Sequence, residues 1–494
     1  MPSPRTTRPR TRSDSSAVAK AKPGPLRIVF LSDTFLPQVN GVTTSIANFS
    51  RELGRRGHSV MILCPAYRGR PSREMWAPNV EIVRLPSFPA LLYPDFRLSP
   101  LLGLPRCLLA LREFRPDVIH LQTTLAVSID AVAAKRVFDC PLVGTNHVFL
   151  TSKEWECLAF LTKKRVILGS LAKVAFAYSR AFYNACDLCL APSMRLIDAL
   201  RDERMTARMM YLPHGVPRPA STTRDAPPRA RVRRTYGLPA NVVLHVGRLS
   251  SEKRVDHLLR AMALLPRDTG LLVVGDGPER RRLQVLTKKL GIADRVVFTG
   301  FIQNADLLQS GIYESADVFA TASAMESQGM VLVEAMAYGL PIVAVDGGAA
   351  PEVVGKAGVL VDPVDTEAFA DALRSMLASP KKRASLRAAA LRQYEQFSVE
   401  SLTDRLLAYY ALAAQIHGKR RPLRERLPRI PVELAAIPGS LALRLSRDLT
   451  RLALRAARGI TTARLAAGRR SAASRRKQAR GRRATSPVRQ ARKA

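Results

Sequence analysis

Short apolar segments alternate with amphipathic stretches along most of this chain, and that alternation restricts the fold more than any other feature of the sequence. The segment LRIVFLSD, residues 26–33, is almost wholly apolar and ends in polar residues, which is typical of a strand buried on both faces. The stretch after it carries apolar residues at helical spacing, namely Val42, Ile46, Phe49 and Leu53. Strands alternating with helices predict a parallel sheet covered by helices on both faces.

The alternation runs twice along the 494 residues. The first series closes with MMYLPHGV near residue 216, and the second opens with NVVLHVGRL at residue 241. Between them STTRDAPPRARVRR, residues 221–234, is polar, basic and Pro-containing, as linkers are. The sequence therefore predicts an α/β protein of two doubly wound, Rossmann-like domains, with a ligand in the cleft between them.

This interpretation divides the chain into six regions. We predict a basic, disordered N-terminal tail at 1–25, a first Rossmann-like domain at 26–220, a linker at 221–240, a second Rossmann-like domain at 241–397, a closing helix at 398–417 and an Arg-rich tail with an amphipathic stretch at 418–494. The apolar share of 47% is that of a globular protein, which excludes wholesale disorder.

Two glutamates separated by seven residues stand in SAMESQGMVLVEAMAYGLP, residues 323–341. Glu326 falls in a Ser- and Gly-containing turn, whereas Glu334 falls in an apolar stretch that is predicted to be a helix. A carboxylate buried without a partner is strongly destabilising. Carboxylates at such sheet edges accept hydrogen bonds from the hydroxyls of a ribose, so a nucleotide sugar is one candidate for the partner.

Two cations follow the first strand of the second domain in HVGRLSSEKRVDHLL. Arg248 comes directly after Gly247, and Lys253 stands where the next helix begins. This is the carboxyl edge of a parallel sheet, where phosphates bind, and both side chains suit a diphosphate. Taken alone, such a pair is equally consistent with two solvated surface cations.

Taken together, these segments resemble the retaining glycosyltransferases of family 4, which have the GT-B fold. The resemblance covers about residues 26–415. It is carried by GRLSSEK (247–253), the E-x7-E pair, EAMAYGLPIVAVDGGAAPEVV (334–354) and SDTFLPQVNGVTTSI (32–46). It implies two Rossmann-like domains facing across a cleft, with the acceptor bound on the first domain and the nucleotide sugar on the second.

The resemblance also implies residue roles in the second domain. Arg248 and Lys253, with Gly247 before them, would bind the donor diphosphate. Glu326 would hold the donor sugar and Glu334 the ribose. The backbone of the turn between them would also contact the donor sugar, through Gly329, Met330 and Val331.

In the first domain, His147 follows the predicted strand in LVGTNHVFL and matches the family's functional histidine, which faces the transferred sugar. A lone histidine at a strand end is more often structural. Gly41 in PQVNGV matches a glycine loop whose amide approaches the donor phosphate or the acceptor. Many relatives have two glycines there, whereas this chain has Asn40 before Gly41.

The implied reaction is hexosyl transfer with retention, from a UDP- or GDP-hexose that is a substrate rather than a cofactor. The family works without a bound metal, and the sequence has no Asp-x-Asp motif. No carboxylate nucleophile is evident either, which favours front-side attack assisted by the leaving phosphate over a covalent intermediate. The catalytic candidates are His147, Arg248, Lys253 and Glu326.

The DTFLPQVNGV and ESQG motifs are most similar to the branch that glycosylates lipids, including diacylglycerol glucosyltransferases and phosphatidylinositol mannosyltransferases. Residues 151–183 add an apolar stripe at helical spacing beside a basic cluster, which suits an anionic membrane surface or, alternatively, an ordinary core-facing helix. The candidate membrane and acceptor residues in this segment are Trp155, Lys163, Lys164 and Arg165.

The net charge of +38 is concentrated in the two tails. Residues 1–22 carry six Lys/Arg and one acid, and residues 419–494 carry 23 Lys/Arg and three acids. Such tails indicate a polyanionic partner, either an anionic membrane or a nucleic acid. Beyond residue 418 there is no Phe, Tyr or Trp to stack on bases, so the nucleic-acid alternative rests on charge alone.

The N-terminus has no apolar segment typical of a signal peptide, and no uncharged apolar run reaches the ~18 residues of a membrane span. The six scattered cysteines fit a reducing compartment. We expect a peripheral protein on the cytoplasmic face of a membrane. A glycosyltransferase with a soluble sugar or metabolite as acceptor is the alternative.

Overall fold

The computed structural model describes residues 24–67, 72–89, 97–99, 103–147, 176–219 and 229–419. Residues Trp155, Lys163, Lys164 and Arg165 and both basic tails lie outside these ranges, so their predicted roles stay predictions. In the described part of the chain, no helix is long and apolar enough to cross a membrane.

The first half of the chain forms an eight-stranded sheet and a separate two-stranded ladder. The strands are β1 (Arg27–Leu31), β2 (Ser59–Pro65), β3 (Arg73–Ala77), β4 (Val80–Leu85), β5 (Phe88–Pro89), β6 (Arg97–Leu98), β7 (Val118–Leu121), β8 (Leu142–Thr145), β9 (Leu188–Ala191) and β10 (Met209–Tyr211). The order in the large sheet is β10-β9-β8-β7-β1-β2-β4-β3, and every pairing is parallel except that of β3 with β4. The strand order reverses between β1 and β7, so these two carboxyl ends flank a crevice.

The second half forms a six-stranded, wholly parallel sheet. Its strands are β11 (Asn241–Val246), β12 (Thr269–Val274), β13 (Val296–Gly300), β14 (Val318–Thr321), β15 (Ile342–Val345) and β16 (Gly358–Val361). The order is β13-β12-β11-β14-β15-β16, with the reversal between β11 and β14. Nearly all positions of β11, β12, β14 and β15 are buried, because helices cover both faces of the sheet.

Helices connect the strands throughout. In the first half they are Gly41–Arg55, Leu104–Phe114, Val127–Phe138, the helical residues 176–184 and Met194–Asp202. In the second half they are Arg229–Thr235, Val255–Ala263, Arg280–Lys289, Asn304–Gln309, Ile312–Ser315, Met330–Ala337, Ala350–Val354, Thr366–Ala378 and Pro380–Tyr394, with short 3-10 turns at Ser251–Lys253, Ala293–Arg295 and Glu395–Phe397.

The last described helix, Val399–Gly418, returns the chain to the first half. Its residues Leu402, Leu406 and Tyr410 belong to the same buried core as Phe30 of β1. The Tyr410 hydroxyl also lies 2.8 Å from a ring nitrogen of a buried histidine on β7. The second half is therefore inserted between two segments of the chain that pack together in the first half.

The predicted fold class is confirmed: both halves are doubly wound α/β units with parallel sheets. Each apolar segment predicted as a strand contains one. The sequence reasoning missed β3 and β4, which lie between residues 73 and 85 at the edge of the first sheet, and the short strands β5 and β6 of the separate ladder. Strand β3 is largely exposed, so it lacks the continuous apolar run by which the buried strands were recognised.

Candidate active site

The carboxyl edges of the two sheets contact each other. A Cβ atom added at Gly41, which begins the helix after β1, would lie 3.9 Å from Sδ of Met330, which begins the helix after β14. Further along, both oxygens of Glu352 accept hydrogen bonds from the backbone of Met194 and Arg195, at 2.7 and 2.8 Å. The first turns of helices from both halves therefore meet at one cleft, where the sequence analysis predicted the ligand.

On the second half, Lys253 and Glu326 form an ion pair. Lys253 ends the 3-10 turn after β11, and Glu326 lies in the turn after β14, which is the neighbouring strand at the reversal point. The Lys253 Nζ lies 2.5 Å from Oε1 of Glu326. Both side chains are mostly buried, with 24% and 11% of their surface exposed.

The turn that carries Glu326 is held rigidly by the backbone of its neighbours. Gly329 has φ +77°, a left-handed conformation that glycine adopts without strain, and it directly precedes the helix Met330–Ala337. The loop after β15 presses against the same turn: a Cβ at Gly348 would lie 2.6 Å from the Glu326 nitrogen and carbonyl oxygen. Ala349 N–H donates to that carbonyl at 2.8 Å. The position of Glu326 is thus fixed from two sides.

Glu334 lies on the helix Met330–Ala337 and is only 3% exposed. Its two oxygens accept hydrogen bonds from Asn304 Nδ2 at 2.9 Å and from the Tyr313 hydroxyl at 2.7 Å. Burial raises the pKa of this carboxyl above its usual value, and the two hydrogen bonds partly oppose that rise. The carboxylate that looked partnerless in the sequence has protein partners, which the sequence reasoning did not foresee. Its predicted contact with a ribose stays a prediction.

The other residues predicted for the donor side lie at the end of β11. Gly247 follows the strand and is partly exposed, and Arg248 is exposed. Just before them, His245 is buried on β11, and its Nδ1 lies 2.9 Å from the Ala320 carbonyl. Burial lowers the pKa of His245 to about 4, so the ring is neutral at neutral pH. The donor-side candidates thus gather at one sheet edge.

On the first half, His147 belongs to a chain of buried polar side chains. Its Nε2 lies 2.8 Å from Oε1 of Gln122, and its Nδ1 lies 3.4 Å from Nε2 of His214. The two imidazole rings stack with centroids 4.8 Å apart. The second nitrogen of His214 lies 3.2 Å from the Ser45 hydroxyl.

The Gln122 side-chain oxygen at one end of this chain determines which group donates in each hydrogen bond. The Gln122 oxygen can only accept, so His147 carries its proton on Nε2 and accepts on Nδ1. His214 then donates from Nε2 and accepts from Ser45. Burial lowers the pKa of His214 to about 4, and burial with the neighbouring histidines holds that of His147 well below its usual value. Both rings are neutral at physiological pH and both nitrogens of His147 are engaged, which suits a positioning role better than proton abstraction.

Three residues of this cleft were missed by the sequence reasoning: Gln122, His214 and Gln328. Gln122 directly follows β7, and His214 lies shortly after β10, so both are at carboxyl edges, as the predicted residues are. Gln328 lies within the ESQG turn that was already singled out for Glu326 and Gly329. Its position between those two residues was the signal that could have identified it.

Comparison with known proteins agrees with this geometry. The family model described as Glycosyltransferase Family 4 matches residues 39–218, and that described as Glycosyl transferases group 1 matches residues 230–393. The chain is 30% identical to a GDP-mannose-dependent alpha-mannosyltransferase of Mycolicibacterium smegmatis, over 78% of this chain and 97% of the relative. It is 29% identical to alpha-monoglucosyldiacylglycerol synthase of Streptococcus pneumoniae, over 65% of this chain and 71% of the relative.

A solved structure shares the fold. HepE of Anabaena, crystallised with UDP, superposes with a TM-score of 0.61 at 22% identity, over 78% of this chain and 99% of that one. The two-sheet architecture, the paired motifs at the carboxyl edges and the extent of the sequence match lead to one assignment. The chain belongs to glycosyltransferase family 4 and has the GT-B fold.

Proposed function

We propose that this glycosyltransferase moves a hexose from a UDP- or GDP-hexose to the hydroxyl of a diacylglycerol-type membrane lipid, with retention of the anomeric configuration. The observation that carries the donor half of this proposal is the Lys253–Glu326 pair, 2.5 Å apart at the strand-order reversal of the second sheet. It puts a cation suited to phosphate beside a carboxylate suited to sugar hydroxyls.

The reaction breaks the bond between the anomeric carbon and the diphosphate oxygen and forms a bond to the acceptor oxygen on the same face of the sugar. The departing phosphate oxygen takes the proton of the acceptor hydroxyl, so charge balances without a protein base. Negative charge grows on the diphosphate as it leaves, and Lys253, Arg248 and the N-terminus of the helix Met330–Ala337 would offset it. We propose that this step needs no bound metal.

A lipid acceptor is supported by exposed apolar residues that follow the carboxyl ends of strands in both sheets. Among the described residues, seven of the 13 exposed large apolar side chains lie in segments that follow the carboxyl end of a strand. They are Val39, Phe88, Leu125, Met194, Phe301, Met325 and Val364. Exposed apolar side chains at these edges suit contact with an acyl chain better than contact with a sugar or a small metabolite.

Charge and relatives support the same acceptor. Both tails are strongly basic by sequence, and the anionic cytoplasmic leaflet attracts such segments. One relative carries the name monoglucosyldiacylglycerol synthase, which identifies a lipid product for that protein. We therefore propose peripheral attachment on the cytoplasmic face, with the acceptor drawn from the membrane.

The test is a transfer assay with a panel of UDP- and GDP-hexoses, each with phosphatidylglycerol vesicles that contain or lack diacylglycerol. A glycolipid product that appears only with diacylglycerol supports the proposal and identifies the donor. Transfer to a soluble sugar or metabolite at the same rate with and without vesicles would contradict the lipid acceptor.

A second experiment separates attachment from acceptor choice. Truncation after Arg421 leaves the described helix Val399–Gly418 intact and removes most of the basic tail. We expect weaker co-sedimentation with anionic vesicles but retained glycolipid synthesis at high vesicle concentration. Glycolipid synthesis lost at all vesicle concentrations, with donor hydrolysis retained, would mean that the tail takes part in acceptor binding itself.

A further inference from the structure

The main chain of His214 and the side chain of Gln328 form a two-point contact between the halves of the protein. The His214 N–H donates to Oε1 of Gln328, and the Nε2 of Gln328 donates to the His214 carbonyl oxygen at 3.0 Å. The backbone N–H and carbonyl of His214 thus each bond to one end of the Gln328 side-chain amide. This pairing fixes both the distance and the orientation between the two residues. Gln328 is 1% exposed and His214 5%, so water does not compete for either bond.

The two residues of this contact, Gln328 and His214, belong to different parts of the candidate site. Gln328 lies two residues after Glu326 and one before Gly329, in the turn that the loop after β15 already holds. His214 stacks on His147 through its ring, with centroids 4.8 Å apart. A single residue, His214, therefore contacts the Glu326 turn through its main chain and His147 through its side chain.

The first half holds the His214 segment independently. Ser45 and Asn48, both on the helix Gly41–Arg55, contact the His214 ring at 3.2 Å and the Gly215 carbonyl at 2.9 Å. The segment is thus anchored to the first half by two side chains. The contact with Gln328 connects it to the Glu326 turn of the second half, and Val216, two residues further on, adds hydrogen bonds to the Phe397 carbonyl at 3.1 Å and from the Tyr394 hydroxyl at 3.0 Å. A separate contact between the halves, that of Glu352 with the backbone of Met194 and Arg195, lies on two other helices, Ala350–Val354 and Met194–Asp202.

We propose that Gln328 is a positioning residue, which sets the distance and orientation of the donor-sugar turn relative to His147 on the acceptor side. The inference rests on the proposed transfer reaction and adds a residue to which no role was assigned. Because transfer competes with attack by water on the same donor, a shift of the sugar relative to the acceptor should lower transfer more than it lowers donor hydrolysis.

The test compares two substitutions of the full-length protein. Gln328→Met keeps the volume and removes both hydrogen bonds. Gln328→Glu keeps an acceptor for the His214 N–H, but its ionised form cannot donate to the His214 carbonyl. When protonated, the introduced carboxyl has one donor and one acceptor, which is the pattern of the original amide. Glu352→Gln is the matched control, because it weakens a contact between the same two halves that lies on two other helices.

For Gln328→Met we expect kcat for transfer to fall at least tenfold and the donor KM to change less than threefold. We also expect a rise in the hydrolysed share, which is the fraction of consumed donor that reacts with water instead of the acceptor. For Gln328→Glu we expect the same defect at pH 8 and a recovery of kcat, relative to wild type, as pH falls towards 5.5. Gln328→Met should show no such recovery, and Glu352→Gln should leave the hydrolysed share unchanged.

Unchanged transfer in a folded Gln328→Met variant would overturn the inference. The inference would also be overturned if kcat fell while the hydrolysed share stayed unchanged and the kcat of Gln328→Glu did not recover at low pH, since that pattern is expected of a purely structural residue. If Gln328→Met does not fold, the pH profile and hydrolysed share of Gln328→Glu decide alone. Absence of transfer by the wild type, in contrast, would count against the proposed acceptor or donor and not against the role of Gln328.

Discussion

The Nζ of Lys253 lies 2.5 Å from Oε1 of Glu326, although 73 residues separate the two in the chain. The contact exists because β11 and β14 are neighbours at the reversal of strand order, so the loops after them converge. The pair neutralises its own charge within a mostly buried cleft. In the proposed reaction, the diphosphate would engage the cation and the sugar attached to it would engage the carboxylate.

We expect Lys253→Ala and Glu326→Gln each to lower kcat/KM for the donor by 10²-fold or more, on the order observed when one charge-stabilising group is removed. The double variant should lose much less than the product of the two single effects, because the residues contact each other and act on one substrate. The measurement is steady-state transfer with the donor found in the panel assay. Lys289→Ala, which changes an exposed cation on the helix Arg280–Lys289, is the control. Strictly additive losses would mean that the pair does not act as a unit.

Tyr313→Phe tests whether the position of Glu334 matters for donor binding. The substitution removes the hydroxyl that donates to Oε2 at 2.7 Å while leaving Glu334 in place. We expect a loss of about 1–3 kcal/mol in the free energy of unfolding, because a buried carboxylate oxygen loses its donor. If Glu334 also holds the ribose, the donor KM should rise severalfold as well. A less stable protein with an unchanged donor KM would limit Glu334 to a structural role.

His147→Ala should lower kcat for transfer at least tenfold, because the ring positions its neighbours in the cleft. Since burial and the adjacent histidines hold the pKa of His147 well below 6.5, the wild-type rate should show no inflection near pH 6.5 from this residue. The check is the pH dependence of kcat between 5.5 and 8. His58→Gln is a matched control, a buried histidine of the same half that accepts from the Leu26 N–H at 3.0 Å. An inflection near 6.5 that disappears in His147→Ala would identify the residue as a proton carrier.

Asp130→Asn should stabilise the protein increasingly as pH rises. Burial, with the nearby charge of Asp33, raises the pKa of Asp130 to about 8, and its Oδ2 has no hydrogen-bond partner among the described residues. The folded state therefore binds this proton between about pH 4 and 8 and the unfolded state releases it, so wild-type stability falls as pH rises through that range. Asparagine does not ionise, so Asp130→Asn removes this loss of stability at higher pH.

The stability difference between Asp130→Asn and wild type should therefore grow by up to about 1.4 kcal/mol per pH unit within the range. Urea unfolding at pH 5, 6, 7 and 8 measures it. Asp198→Asn, whose side chain is 66% exposed, should give a difference that does not vary with pH. A pH-independent difference for Asp130→Asn would show that the carboxyl ionises normally in the folded protein.

Most of the fold could be predicted from local pattern. Strands buried on both faces of a parallel sheet are predominantly apolar, as β1, β11 and β15 are, so the short apolar runs of the sequence identified them. The edge strand β3 has exposed positions and pairs antiparallel, and no local signal distinguished it from a loop. The helix Val399–Gly418 was predicted as a helix, but its packing on the first half rests on contacts with residues almost 400 positions away.

The sequence by itself determined that two parallel α/β halves would form, and it identified which motifs end at their carboxyl edges, because strand periodicity and turn chemistry act over a few residues. Only the tertiary structure decided that Asn304 and Tyr313 satisfy Glu334 and that Gln328 joins His214 to the Glu326 turn. Those hydrogen bonds connect residues 21 to 114 positions apart. A contact of that kind depends on strand order and on how the halves face each other, and no local spacing in the chain encodes either.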